Sequence, residues 1–429
     1  MSFVSRRRIR ICRRCDLVLA LPPLTQGEQA VCPRCQHHLA ERQAEPVISV
    51  VAWSLTALLL LLLALSFDYV SFSASGVGHT IALFDTVYGM LQHGQPAVAL
   101  LLSLTMVLLP ALYLLNLIYV FIGATRQRPW RGVRFVANTL HHVEPWLMAD
   151  VFLLGAVVSL VKVADLATIT FSPGFWAYAA FAVVVIETSR RVDKDWLWHR
   201  MYGELPRRST AALRIGRVAR AQGVLGCDNC EAVVALGTHS DGCPRCGHPV
   251  SDWLQHRPQV CMAWLLAALC FFFPAMLLPI MSTVDISGAS PSTIVGGVVE
   301  LWRAGSEPVA LVILMASVVI PIAKMIALGW LVWVTSGGHA PLGKRQRMWL
   351  YRVNEWIGRW SMIDVFVVAI LVALVQAGSV LSVLPGTAAL AFAATVICTM
   401  FAAHAFDTRR LWWVTSRSEQ HYQRLSEQP

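Results

Sequence analysis

The stretch VISVVAWSLTALLLLLLALS, residues 47–66, contains no charged residue and is long enough to cross a bilayer as one helix. Seven further apolar stretches of similar length occur along the chain. The candidate transmembrane helices are 47–66, 96–122, 146–169, 173–189, 259–281, 307–334, 360–381 and 384–405. The sequence therefore predicts an all-α polytopic membrane protein with eight transmembrane helices.

The composition of the whole chain agrees with this prediction. Of the 429 residues, 56% are hydrophobic and 14% are charged, whereas a soluble globular chain carries roughly 25% charged residues. The balance excludes an ordinary soluble globular protein, an intrinsically disordered chain and a small disulfide-bonded scaffold.

The positive charge of the chain is confined to alternate segments. The net charge is +10, and 32 of the 35 Lys and Arg residues fall in five segments. These are 1–46, 123–145, 190–258, 335–359 and 406–429. Because the loops between them are poor in Lys and Arg, an even number of spans between successive segments places all five on the cytoplasmic side. Both termini are then cytoplasmic, and no nucleic-acid partner is needed to explain the net charge.

Two motifs recur at a nearly constant spacing. The sequence CPRC at 32–35 recurs at 243–246, 211 residues later, and WLMADVF at 146–152 recurs as WSMIDVF at 360–366, 214 residues later. We therefore predict two tandem modules of four transmembrane helices each. Because four is an even number, both modules share one orientation, as parallel repeats do.

The same features predict the boundaries of the parts of the chain. Each module follows a small cytosolic head that contains four cysteines. The predicted parts are a cytosolic ribbon at 1–46, a first module at 47–190, a linker and second ribbon at 191–258, a second module at 259–406 and a basic tail at 407–429.

Eight cysteines occur as two sets of paired C-x2-C motifs. The first set is Cys12, Cys15, Cys32 and Cys35, and the second is Cys227, Cys230, Cys243 and Cys246. Such a set supplies four thiolates to one tetrahedral metal ion, and a reducing cytosol favours a metal over disulfides. We predict two structural Zn²⁺ ions, one in each zinc ribbon. An iron site of the rubredoxin type, which uses the same spacing, and a redox-active dithiol are the alternatives.

Polar residues inside the second module mark a candidate functional centre, because an uncompensated charge in lipid is costly. Lys324 and Ser317 lie two turns apart in the sixth predicted span, and Ser361 and Asp364 lie about one turn apart in the seventh. Thr399 in the eighth span is within possible reach. The hypothesis is one buried network of these five residues, and the structural alternative is that they only fix the register of the helices.

The first module offers secondary candidates. Asp150 repeats Asp364, but Tyr113 stands where Lys324 would be. Lys162 in the third span is followed one turn later by Asp165, and this lysine alternatively extends to the membrane surface. The two modules therefore share the same arrangement of motifs but not the same buried polar residues.

Several motifs of the sequence together resemble those of a known family. The duplicated four-cysteine heads, FPAMLLPI at 273–280 and IGRWSMIDVFVVAIL at 357–371 are similar to the PqiA/LetA family of bacterial inner-membrane proteins. The length and the two-module layout are closer to LetA. The resemblance implies a hexameric partner with MCE domains that forms a tunnel across the periplasm. It also implies lipids as the substrate, moved between the inner and outer membranes.

These sequence features leave two classes of function open. The first is a lipid-transport subunit, which we expect not to be an enzyme. The chain has no G-x4-G-K-[ST] motif, so we expect that it does not itself hydrolyse ATP. The second is a membrane redox protein with four-cysteine iron sites and a quinone. That class needs paired haem-ligating histidines within spans, and most of the 13 histidines fall in loops.

Overall fold

A computed structural model describes most of the chain. The described residues are 8–42, 45–74, 77–92, 94–126, 130, 132–163, 168–203, 213–235, 242–249, 257–285, 288–303, 305, 307–337, 342–375 and 382–413. Most of them are helical.

The first half of the chain contains eight helices and seven strands among the described residues. The helices are α1 (Pro46–Ser66), α2 (Asp85–Gln92), α3 (Pro96–Ser103), α4 (Leu109–Thr125), α5 (Val133–Val143), α6 (Ala149–Val163), α7 (Pro173–Arg190) and α8 (Lys194–Tyr202). The strands are β1 (Arg8–Ile11), β2 (Val18–Leu21), β3 (Gln29–Val31), β4 (His38–Glu41), β5 (Val70–Ala74), β6 (Val77–Ile81) and β7 (Thr168–Phe171).

The described part of the second half repeats most of this order. Its helices are α9 (Arg257–Leu277), α10 (Ile294–Arg303), α11 (Glu307–Leu314), α12 (Ile320–Thr335), α13 (Lys344–Trp360), α14 (Ile363–Val375), α15 (Ala388–Ala405) and α16 (Arg410–Trp413). Its strands are β8 (Val224–Gly226), β9 (Val233–Ala235), β10 (Met281–Asp285), β11 (Gly288–Ser292) and β12 (Ser382–Pro385). The starts of α1 and α9, at residues 46 and 257, are 211 residues apart, as are those of α5 and α13, at residues 133 and 344.

Six stretches of the described chain are long and apolar enough to cross a membrane. They are Pro46–Ser66, Pro96–Thr125, Val133–Leu160, Pro258–Leu277, Met315–Thr335 and Ala388–Ala405. Helices α7 and α14 lie within the other two predicted spans. The described part of α14 has 13 residues, and α7 carries Glu187 and Arg190 in its last turn. The count of eight spans therefore stays a prediction.

Short strands correct the all-α prediction. Strands β6, β5 and β7 form one antiparallel sheet in that order, and β11, β10 and β12 form a second sheet of the same topology. The predicted third span, 146–169, is also too long, because it includes the start of a strand. Helix α6 ends at Val163, and β7 begins at Thr168. These strands have only four or five residues and directly border apolar helices, so hydropathy does not separate them from the spans.

Within each half, three long helices pack together in the same way. Helix α1 contacts α4 and α7, and helix α9 contacts α12 and α15. The two halves meet mainly where α6 packs against α14. There, the rings of Phe152 and Phe366 lie 5.5 Å apart at 84°, and the Ser159 hydroxyl donates a hydrogen bond of 3.2 Å to the carbonyl oxygen of Val367. Phe152 and Phe366 occupy equivalent positions in the recurring WxMxDVF motif, so equivalent surfaces face each other, as in a twofold interface.

A close approach at Gly155 makes this packing testable. A Cβ atom built at Gly155 would lie 2.9 Å from Cβ of Phe366, whereas one built at Gly329 in α12 meets nothing within 4 Å. We expect Gly155→Ala to destabilise the protein by about 1–3 kcal/mol through overpacking. Gly329→Ala should be neutral or stabilising, because alanine favours a helix over glycine.

The measurement is the thermal unfolding temperature of both variants in detergent. An equal and neutral effect of the two substitutions would contradict close packing between α6 and α14.

Candidate metal centres and a buried lysine

The eight predicted metal ligands form two buried clusters. In the first, sulfur atoms lie 3.5 Å apart for Cys12 and Cys35 and 3.6 Å for Cys15 and Cys32. All four sulfur atoms of each cluster lie within 4.8 Å of one another. A tetrahedral ion with metal–sulfur distances of about 2.3 Å places its sulfur atoms roughly 3.8 Å apart. Both clusters therefore have the dimensions of a closed metal site.

The second cluster has the same geometry. Its sulfur atoms lie 3.5 Å apart for Cys227 and Cys246 and also for Cys230 and Cys243. These distances are far longer than the roughly 2.05 Å of a disulfide bond, so the cysteines are free thiols.

The backbone folds tightly around each cysteine pair. In every C-x2-C motif, the residue after the second cysteine has a positive φ angle and its N–H donates to the carbonyl oxygen of the first cysteine. These residues are Asp16 (φ 59°), Gln36 (58°), Glu231 (59°) and Gly247 (72°). Only one of the four is a glycine, so three side chains accept a left-handed conformation that is normally unfavourable. The four thiols of each cluster are held together at this conformational cost.

The thiols are chemically suited to bind a cation. Hydrogen bonds among the thiols of the first cluster lower the pKa of Cys32 and Cys35 and raise the pKa of Cys15. The thiolates that this favours at Cys32 and Cys35 are the form that binds metals. Zinc and iron both accept four thiolates at this distance, so the geometry supports a metal without choosing between the two. Zinc stays a prediction.

The first ribbon, residues 8–42, contacts the second half of the chain. The Arg14 guanidinium donates to both carboxylate oxygens of Glu355 in α13, at 2.7 and 3.0 Å, and lies over the ring of Tyr351. Arg352 donates to the carbonyl oxygen of Cys35. Burial alone lowers the pKa of Arg14, but Glu355 and Tyr351 raise it above its ordinary value, so this guanidinium remains charged.

The second ribbon, residues 213–249, contacts helix α5 of the first half. Asn138 in α5 donates a hydrogen bond of 3.0 Å to the carbonyl oxygen of Cys246. Arg134, also in α5, donates to the carbonyl oxygen of Cys243 at 3.5 Å. Since α5 and α13 begin 211 residues apart, each ribbon packs on the equivalent helix of the opposite half. We call this arrangement the crossed ribbons.

The two ribbons also contact each other. Arg13 forms an ion pair of 2.6 Å with Glu231, and Arg10 approaches the same carboxylate at 3.8 Å. Burial raises the pKa of Glu231, but the positive charges of Arg13 and Arg10 lower it by more. The pKa of Glu231 is therefore below its ordinary value, and the carboxylate is ionised. Leu17 and Val218 form an antiparallel bridge between the ribbons. The ribbons are therefore one joined unit in this fold.

Lys324 is buried among the helices of the second half. Its side chain is 4% exposed, and its ammonium group donates a hydrogen bond of 2.9 Å to the Thr399 hydroxyl of α15. From α13, the Asn354 amide donates to the carbonyl oxygen of Lys324 at 3.2 Å. A Cβ atom at Gly358 would lie 3.1 Å from the lysine nitrogen. The structure thus places Lys324 beside Thr399, Asn354 and Gly358.

Sequence reasoning did not find Asn354 and Gly358. The segment 335–359 was assigned to the basic cytosolic side because of its five Lys and Arg residues. Helix α13 (Lys344–Trp360) covers most of this segment and is amphipathic. Apolar residues recur with a helical period within that basic segment, and this pattern indicates that one side of the helix faces the protein interior.

The other predicted network residues are placed as follows. Ser317 is buried in a π-helical turn, Met315–Val319. Ser361 is buried, and its hydroxyl has no hydrogen-bond partner among the described residues. Asp364 lies in the first turn of α14, and its side chain is outside the described part of the structure.

The secondary candidates lie in and after α6. Asp150 is half-buried in the first turn of this helix. Lys162 lies in its last turn with its side chain outside the described part, and Asp165 lies wholly outside the described residues. Tyr113, at the position equivalent to Lys324, is fully buried.

Both halves carry a π-helical turn before a proline. Leu104–Leu108 precedes Pro110 in the first half, and Met315–Val319 precedes Pro321 in the second. Single π-turns within α-helices are frequent at functional sites. The second of these turns lies one to two turns from Lys324.

Comparison with known proteins gives matches over nearly the whole chain. A family model described as paraquat-inducible protein A matches residues 48–202 and 259–416. The chain is 35% identical to the intermembrane transport protein PqiA of Escherichia coli strain K12, over 94% of this chain and 95% of that protein. No solved structure matches the chain.

Two further relatives are similar at lower identity. The lipophilic envelope-spanning tunnel protein A of E. coli strain K12 is 28% identical, over 94% of this chain and 90% of its own length. A probable intermembrane transport protein of Haemophilus influenzae is 28% identical, over 95% and 96% of the two chains. The identity is 35% to the PqiA protein and 28% to the tunnel protein A, which is LetA. The expectation of a closer likeness to LetA, made from length and layout, is therefore not reflected in the identities.

The crossed ribbons predict which helix is destabilised when each metal centre is lost. Because metal binding supplies much of the folding free energy of such a ribbon, Cys12→Ser should increase amide hydrogen exchange in α13. Cys227→Ser should increase exchange in α5 instead. The measurement is hydrogen–deuterium exchange of the purified variants by mass spectrometry, in which exchange reports local opening.

The two variants are matched controls for each other. Increased exchange confined to the half adjoining each ribbon in sequence would contradict the crossed arrangement.

Proposed function

Because the chain belongs to the paraquat-inducible protein A family, we propose that it is the integral inner-membrane subunit of an MCE-type lipid transport system. In this proposal it moves phospholipids or other lipids between the inner membrane and a periplasm-spanning tunnel. The observation that carries the proposal is the match over about 94% of the chain to relatives named for intermembrane transport and for an envelope-spanning tunnel. The mostly helical fold, with six membrane-length helices, supports it.

The proposed topology follows from the charge distribution. Both termini and both ribbons lie in the cytoplasm, and the two small sheets lie on the periplasmic side. The two modules, 47–190 and 259–406, each contribute four spans, with the ribbons at 1–46 and 191–258 and the tail at 407–429. The proposed partner is a hexameric tunnel protein with MCE domains, which docks on the periplasmic side.

The proposed transport centre is the network of Ser317, Lys324, Ser361, Asp364 and Thr399. The hydrogen bond from Lys324 to Thr399 and the burial of Ser317 and Ser361 support a common polar site. A buried ammonium and a buried carboxylate exchange between paired and protonated states when protons move. Such an exchange couples lipid movement to the proton gradient without ATP.

The competing redox function is distinguished by the metal. A transporter with two structural zinc ribbons should contain two zinc ions per chain and show no visible absorbance, because Zn²⁺ has a filled d shell. The measurement is elemental analysis and an absorption spectrum of the purified protein. Cys243→Ser should lower the metal content and the amount of folded protein. Coloured iron, or two metals and full abundance in Cys243→Ser, would contradict the zinc assignment.

The transport centre is tested by three substitutions. Asp364→Asn preserves size but cannot ionise, so it should abolish outer-membrane barrier function while leaving the protein level largely unchanged. Lys324→Ala should also abolish function, and Asp150→Asn in the first module should have a milder effect, since Tyr113 replaces the lysine there.

The measurement is barrier function in cells that depend on this protein, read beside its abundance in the membrane. Normal function in Asp364→Asn would rule out proton coupling through this group. Loss of function only in proportion to loss of protein would support a purely structural role.

A further inference from the structure

We propose that Asn354 and Gly358 in α13 are positioning residues that hold the ammonium group of Lys324 against Thr399. This inference rests on the proposed function of the Lys324 centre. It adds a helix that the sequence assigned to the cytosolic side. The two residues are four apart, so they share one face of α13.

Gly358 provides the space that the lysine occupies. The atoms within 4 Å of a Cβ atom built at Gly358 are Nζ of Lys324 at 3.1 Å and Cε of Lys324 at 3.3 Å. Contacts in this range are tighter than ordinary van der Waals contacts, so a methyl group at position 358 pushes against the lysine. Any residue larger than glycine therefore moves the ammonium group or the helix.

Asn354 fixes the backbone from which the lysine extends. Its amide nitrogen donates to the carbonyl oxygen of Lys324 at 3.2 Å, and the residue is 5% exposed. Its amide oxygen is buried and has no partner among the described residues. A buried acceptor of this kind is costly unless a donor satisfies it at least part of the time.

Helix α13 is also held by the first ribbon. Tyr351, Arg352 and Glu355 contact the ribbon through the interactions of Arg14 and Cys35. The Tyr351 hydroxyl also donates a hydrogen bond of 3.0 Å to the carbonyl oxygen of Ala403 in α15. Because these contacts anchor α13, a clash at Gly358 should displace the lysine side chain rather than the helix.

A double-mutant cycle separates positioning from a general effect on the fold. In the otherwise unchanged protein, Gly358→Ala should lower the thermal unfolding temperature. In a chain that carries Lys324→Ala, the same Gly358→Ala change should raise the unfolding temperature or leave it unchanged, because the clashing atoms are gone and alanine favours the helix. Gly329→Ala in α12, which has open space around it, is the matched control and should act alike in both backgrounds.

Barrier function gives the second measurement. Gly358→Ala should lose function at near-normal abundance, whereas Gly329→Ala should keep it. Asn354→Leu, which removes both polar groups, should lose function, and Asn354→Gln, which retains the amide, should restore part of it.

The outcomes distinguish this inference from the proposed function. If Lys324→Ala retains full barrier function, the proposed transport centre is wrong. If Lys324→Ala abolishes function but Gly358→Ala behaves like Gly329→Ala in both measurements, the positioning role alone is overturned. A fall in unfolding temperature of the same size in both backgrounds of the cycle would likewise overturn it.

Discussion

The packing of α6 against α14 joins the two halves of this protein, and the remaining architecture depends on it. The contact brings together the equivalent rings of Phe152 and Phe366 and leaves no room for a side chain at Gly155. Helices in a membrane associate through close packing and hydrogen bonds, since lipid tails are as apolar as the helices themselves. Small and well-fitted residues at this contact therefore set how the halves are oriented.

The crossed ribbons are a second connection between the halves. Each four-cysteine ribbon lies close to the opposite half. Here the first ribbon binds α13 and the second binds α5, and Arg13 and Glu231 connect the ribbons. Each half thus contacts a four-cysteine cluster that is encoded beside the other half. These contacts connect the two halves in addition to the packing of α6 against α14.

The polar centre breaks the symmetry between the halves. Lys324 occupies a position at which the first half has Tyr113, and both side chains are buried. A lysine at the centre of a membrane helix costs roughly 2.5–3.5 kcal/mol on insertion scales, whereas a tyrosine costs far less. The second half carries this cost, and the hydrogen bond from the ammonium group to Thr399 offsets part of it. This asymmetry fits a protein in which the first half has a structural role and the second half contains the functional site.

The sequence by itself determined the features that depend on local composition and spacing. Apolar stretches predicted the long helices, the C-x2-C spacing predicted both cysteine clusters, and the positions of Lys324 and Thr399 within spans placed both in one predicted polar network. Only the tertiary structure decided the short strands β5 and β10, the crossed ribbons and the contact of Asn354 and Gly358 with Lys324. The strands are too short to give a period distinct from the spans that they follow. The crossing and the α13 contacts join residues that are tens to hundreds of positions apart, so they depend on how packed helices bring distant surfaces together.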